Sequence, residues 1–185
     1  MAKTLRRSWG ARIMIVFAWF AALMVLLALA AALYIYLPGG KDRLEARFAV
    51  PPLVAVDFAT LRKDGKPHSF LVTPQGLGVE KADLAAPVFD MPSSQLAALW
   101  RAKVAVGDNI SERKWDAQTQ TTYLVERTPL MRYPDLITAQ FIDAGEGRST
   151  LALFSTSVYG IRDQGVNERR VRDWLQRLTK AAQPG

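Results

Sequence analysis

The chain of 185 residues contains no cysteine and one histidine. Without cysteine there is no disulfide framework, and a zinc site would have to be assembled from several carboxylates. The absence fits an oxidising compartment, since a core built from some 145 residues stands without cross-links. A single imidazole, His68, cannot make a multi-histidine metal site, and beside Lys66 and Pro67 it reads as a solvated turn residue. No glycine-rich phosphate loop and no nucleophile elbow occurs, so neither nucleotide-phosphate chemistry nor an α/β-hydrolase reaction is signalled. Neither a cofactor nor a metal is expected. Residues 13–37 lack any charged side chain.

That last absence organises the rest. An apolar run of 25 residues reaches about 37 Å as a helix, enough to cross a hydrocarbon core of ~30 Å with some tilt. Trp9 before it and Tyr34 and Tyr36 near its end suit the two membrane interfaces. A cleavable signal peptide is the rival reading, with Ala28-Leu29-Ala30 as the processing site. Signal cores span about 7–15 residues, however, and here apolar residues continue through Leu37. Ala18 with Ala22, and Ala28 with Ala32, are small residues four apart through which two spans can associate.

The formal charge of +7 is uneven. Lys3, Arg6, Arg7 and Arg12 precede the apolar run, leaving 20 basic against 17 acidic residues after it. Basic residues beside a span stay cytoplasmic, so the charge is a topology signal and not a nucleic-acid signal. The expected organisation is a cytoplasmic basic tail (1–12), a transmembrane helix (13–37), a linker (38–52) and an extracytoplasmic domain (53–185). In a diderm bacterium this is a single-pass inner-membrane protein with a periplasmic domain.

Within the domain, residues 53–58 read as a strand, paired through Asp64-Gly65 with a second strand at 69–73. A helix begins near Ser93, capped by Asp90 or Ser93, with Leu96, Leu99, Trp100 and Val104 on one face. Strands follow at roughly 109–115, 121–128, 136–142 and 149–158, joined by turns short enough to force an antiparallel meander. A last helix at about 168–180 presents Val171, Trp174, Leu175 and Leu178, with Asn167 as its cap. The expected fold is α+β: an antiparallel sheet with two helices on one face and little or nothing on the other.

Arg127-Thr128-Pro129-Leu130, Tyr133-Pro134-Asp135, Ser155-Thr156-Ser157-Val158-Tyr159-Gly160, Asp163, Gly165-Val166-Asn167 and Arg170 together resemble an uncharacterised bacterial and plastid family, domain of unknown function fourteen ninety-nine. The chain departs from that pattern at Ser155-Thr156-Ser157, where members often carry Ser-Arg-Ser. It also lacks a cysteine pair that many carry near Thr73 and Gly78. The resemblance implies a domain and no established activity.

Read as residues, the same blocks are largely architectural, with Arg170 placed to brace Asp135 or Asp163. A functional reading treats the helix start as an anion site for a lipid phosphate, using Asn167, Arg169 and Arg170. The candidate ligand-binding set is therefore Asp135, Ser155, Ser157, Asp163, Asn167, Arg169 and Arg170. The bare sheet face is a second place for an apolar ligand or an envelope protein. A serine hydrolase using Ser155 or Ser157 with Asp135 or Asp163 lacks an evident base. Ser111-Glu112-Arg113-Lys114 matches a Ser-x-x-Lys pattern but falls in a strand without its companion motifs. Asn109-Ile110-Ser111 fits a glycosylation acceptor. Arg169, Arg170, Arg172 and Arg177 form a solvated helix face interrupted by Glu168 and Asp173. The expected function is non-catalytic binding of a lipid, apolar small molecule or envelope protein by a membrane-anchored domain. The alternatives are that hydrolase, or a scaffold subunit of a membrane complex.

Overall fold

A computed structural model describes residues 9–183. The basic residues Lys3, Arg6 and Arg7 lie outside the described residues. The chain divides into two compact units, Met1–Arg47 and Phe48–Gly185.

In the first unit, helix α1 (Trp9–Tyr36) has no buried residue. It is the one described helix long and apolar enough to cross a membrane. Pro38 and Gly39, at φ 78°, end it, and a second helix, α2 (Gly40–Arg47), follows inside the stretch read as linker. That polar stretch is helical because Asp42 and Arg47 suit the two ends of its dipole. Arg43 also reaches back, donating to the Tyr34 carbonyl at 2.7 Å with its guanidinium 4.9 Å from the Tyr34 ring centroid. It thereby satisfies a carbonyl that the end of α1 leaves open.

The second unit is built on one six-stranded sheet. Its strands are β1 (Ser69–Thr73), β2 (Leu84–Ala85), β3 (Ile110–Asp116), β4 (Thr121–Arg127), β5 (Pro134–Gly145) and β6 (Arg148–Ser157), in the order β2-β1-β6-β5-β4-β3. The meander β3 to β6 is antiparallel throughout, β1 pairs antiparallel with β6, and β2 adds a short parallel edge. Helices α3 (Ser93–Lys103) and α4 (Val166–Ala182) pack on one face. There Val72, Leu124, Ile137, Phe141 and Leu153 meet Leu96, Trp100, Val171, Trp174 and Leu178. Trp100 lies edge-on to Trp174 at 5.3 Å and to Phe141 at 5.8 Å, arrangements worth roughly 0.5–1.5 kcal/mol each beyond area burial.

The α+β architecture agrees with the sequence reading, and local details differ. Residues 53–58 form no strand, and Asp64-Gly65 makes no hairpin. Both positions beside β1 are taken by β6 and β2, while Pro51 and Pro52 have no N–H to offer a ladder. Asp64 instead accepts the Lys66 amide at 3.1 Å and pairs with the His68 ring at 3.0 Å. His68 is buried and not solvated. Neither Asp90 nor Ser93 caps α3, whose N-cap position is Pro92 without a side-chain bond.

The second sheet face is covered. Residues 51–61 cross it as an irregular strap that ends with Phe58 packed on Leu71 and Ala152, joined by Leu61, Leu77 and Phe154. Among the described residues, no backbone hydrogen bond ties 53–56 to the sheet. Gly78, at φ 82°, lets the chain pass so close to the Phe58 carbonyl that a Cβ there would sit 2.4 Å from its oxygen.

Candidate functional site

Strand alternation sends Glu126, Asp135, Ser155 and Ser157 to the helix-covered face at the end nearest the start of α4. Arg170, one turn into α4, projects among them. Its Nε donates to Glu126 Oε2 at 2.5 Å and its Nη2 to Asp135 Oδ2 at 2.6 Å. Its Nη1 reaches Asn167 Oδ1 at 2.7 Å and Ser155 Oγ at 3.1 Å. Asn167 is fully buried and uses both ends of its amide. Its oxygen accepts from Ser155 Oγ at 2.5 Å, and its nitrogen donates to the His68 carbonyl, Ser157 Oγ and Asp163 Oδ2.

Asn167 therefore does not cap α4. The helix starts at Val166, two residues before the expected 168, with Gly165 at φ 75° ahead of it. The N-cap position is Gly165, which has no side chain to offer; Asp163, two residues before it, supplies the carboxylate that accepts the amides of Gly165 at 2.9 Å and Asn167 at 2.8 Å. Burial works to raise the Asp163 pKa. The bonds from the Asn167 and Gly165 amides and the Asn167 side chain outweigh it, holding the carboxyl below its ordinary range.

Six of the seven sequence-expected residues thus meet in one network, and Arg169 stands apart, donating to the Gln164 carbonyl at 2.9 Å. A carboxylate already fills the anion position at the helix start. The network's chemistry is that of a brace between sheet and helix: two carboxylates balance a guanidinium, and each hydroxyl has a partner. Sequence reasoning missed Glu126. Its signal was available, because Thr122, Leu124 and Glu126 alternate on the buried face of a strand, where a carboxylate requires a cation. On the outer face of α4, Arg172 pairs with Glu168 and Arg177 with Asp173.

The opposite sheet face holds a different kind of site. Between the strap and the sheet lies a cavity of about 430 Å³, lined on the sheet side by Tyr123, Leu136 and Phe154 and on the strap side by Leu53 and Val56. Such a volume falls in the range of roughly 300–1,000 Å³ that accepts small apolar ligands. The strap is pinned at both ends. The Phe48 ring lies tilted against Tyr133 at 4.3 Å and edge-on to Tyr159 at 5.5 Å, Arg127 donates to the Phe48 carbonyl, and Tyr159 Oη donates to the Ala49 carbonyl. At the far end Asp57 accepts from the Ala59 amide and from Thr60 Oγ1, closing a turn. Asp57 is held below its ordinary range by the Thr60 and Ala59 bonds. Thr156 also lines the cavity, with its hydroxyl 3.3 Å from His68 Nδ1. The cavity was not legible as such, because it exists only where an extended segment bridges a sheet without pairing to it.

Among the described residues, no group of three or more His, Asp or Glu side chains is placed to hold a metal ion. The model of a family described as "Protein of unknown function (DUF1499)" matches residues 41–178. No curated protein matches the chain. A solved structure titled "Crystal structure of the di-domain ARO/CYC StfQ from the steffimycin biosynthetic pathway" matches at 11% identity and TM-score 0.41, over 52% of this chain and 43% of that chain. The chain spans less than half the length of that protein.

Proposed function

We propose a function for a chain that belongs to the DUF1499 family of proteins of unknown function: a membrane-anchored, extracytoplasmic domain that binds an apolar small molecule or lipid chain. The anchor is α1, kept after synthesis, with the basic tail in the cytoplasm and the domain on the far side, the periplasm in a diderm bacterium. The observation that carries the reading is the cavity under residues 51–61, apolar on floor and roof. Among the described residues no backbone–backbone hydrogen bond ties 53–56 to the sheet, so that middle part of the strap can bow outward to admit a ligand while its ends stay pinned.

Binding is favoured over hydrolysis by the placement of the hydroxyls. Ser155 donates into Asn167, Ser157 receives from Asn167, and the chain's one imidazole sits against Thr156 and Asp64. Neither serine has the base that an attacking alkoxide requires. Native mass spectrometry of the full chain, released from mild detergent, tests the proposal. The expected result is a retained apolar molecule that is lost when Leu136→Trp fills the cavity. An empty wild-type protein that also takes up no hydrophobic probe would overturn it.

A further inference from the structure

We infer that the ligand of this cavity is a single-chain amphiphile with an anionic head, and that Arg113 is the residue that holds the head. The inference rests on the cavity reading above and adds the ligand's chemistry. Arg113 is the extra residue of a β-bulge in β3, where the pairing with β4 shifts between Glu112 and Lys114. A bulge turns a side chain out of the regular alternation, and here it sets a guanidinium at the lip of the apolar space. The acids beside it in sequence are engaged elsewhere. Glu112 faces the helix side and takes Arg101 and Thr122, and Asp116 takes Lys114. Among the described residues Arg113 has one hydrogen-bond partner, the Pro51 carbonyl at 3.0 Å. A guanidinium has five N–H donors in a planar fork, so a carboxylate or phosphate can be held by the remainder.

The geometry of the cavity matches one chain. Its floor runs from Arg113 on edge strand β3 across β4 and β5 to Phe154 and Thr156 on β6, three strand spacings or roughly 14 Å. That is the length of a medium alkyl chain. Asp57 also lines the cavity, on the part of the strap that continues toward Phe58 and β1, and there it disfavours an anion. The head therefore goes to Arg113, and the tail lies beneath Leu53 and Val56.

The test is photo-crosslinking of the full chain in lipid nanodiscs. The probes are dodecanoate, dodecyl phosphate and dodecanol, each bearing a diazirine at the chain end, and the labelled peptides are mapped by mass spectrometry. The expected result is labelling of the strap and of β5 or β6, with a half-saturating concentration at least roughly tenfold lower for an anionic probe than for dodecanol. Arg113→Gln removes the difference between the anionic probes and dodecanol, while Arg113→Lys keeps part of it. Whichever anion labels better identifies carboxylate or phosphate as the source. Equal labelling by acid and alcohol in the wild type, or a preference for the anionic probes that survives in Arg113→Gln, would overturn the head-group assignment and leave the cavity reading standing. No site labelling by any of the three probes overturns both.

Discussion

Arg170 joins α4 to two strands, and its removal tests whether that junction holds the domain together. In Arg170→Met the side chain keeps its bulk and loses its charge. Asp135, with a side chain 6% exposed, is left as a buried carboxylate without its cation, whereas Glu126, 27% exposed, retains some water. Breaking a buried pair by deleting one partner costs about 3–5 kcal/mol, because the surviving charge stays desolvated. Total stability for a domain of this size is about 5–15 kcal/mol, so the loss is a large share of it. It corresponds to a fall in Tm of roughly 10–20 °C. Near-ultraviolet circular dichroism reports the core through Trp100 and Trp174 while urea or heat is applied to the full chain. The double variant Arg170→Met with Asp135→Leu should recover most of the loss, since an apolar pair of similar volume is often neutral. A single-variant loss below about 1 kcal/mol, in the range of exposed ion pairs, would refute the assignment of the network as a buried brace.

Other outcomes follow from the same geometry. Asp163→Ala should cost about 1 kcal/mol by uncapping α4, read by denaturation and by faster amide exchange at its first turn. Because the folded Asp163 pKa is depressed, its contribution is complete above the unfolded value of about 3.9 and fades as pH falls through the lower folded value. Asp163→Asn should flatten that part of the acid limb. In Gly78→Ala a Cβ would lie 2.4 Å from the Phe58 carbonyl at positive φ, so the strap should loosen, seen as faster exchange at residues 57–61. Gly40→Ala puts a Cβ 2.0 Å from the Ile35 carbonyl, and limited proteolysis should then open the turn between α1 and α2.

Some of this protein was determined by local chemistry, and those parts were legible. A run of 25 apolar residues folds as a helix long and apolar enough to cross a membrane, and that much follows from composition and length alone. The meander strands and the faces of α3 and α4 follow from periods of two and 3.6 read against short turns. Arg170 could be set in advance against Asp135 or Asp163, because it lies a turn past a helix start; the tertiary structure decided for Asp135. What depended on distant neighbours was decided only in three dimensions. Residues 53–58 have strand composition, yet both sides of β1 were taken and the segment became a strap over the second face. Asn167 is a good cap by type, but it was drawn inward by Ser155, His68 and Arg170, and Asp163 capped the helix in its place. The cavity and the bulge that aims Arg113 into it belong to no single segment: a void is defined by the surfaces that fail to meet, and no one stretch of sequence encodes a distance between two others.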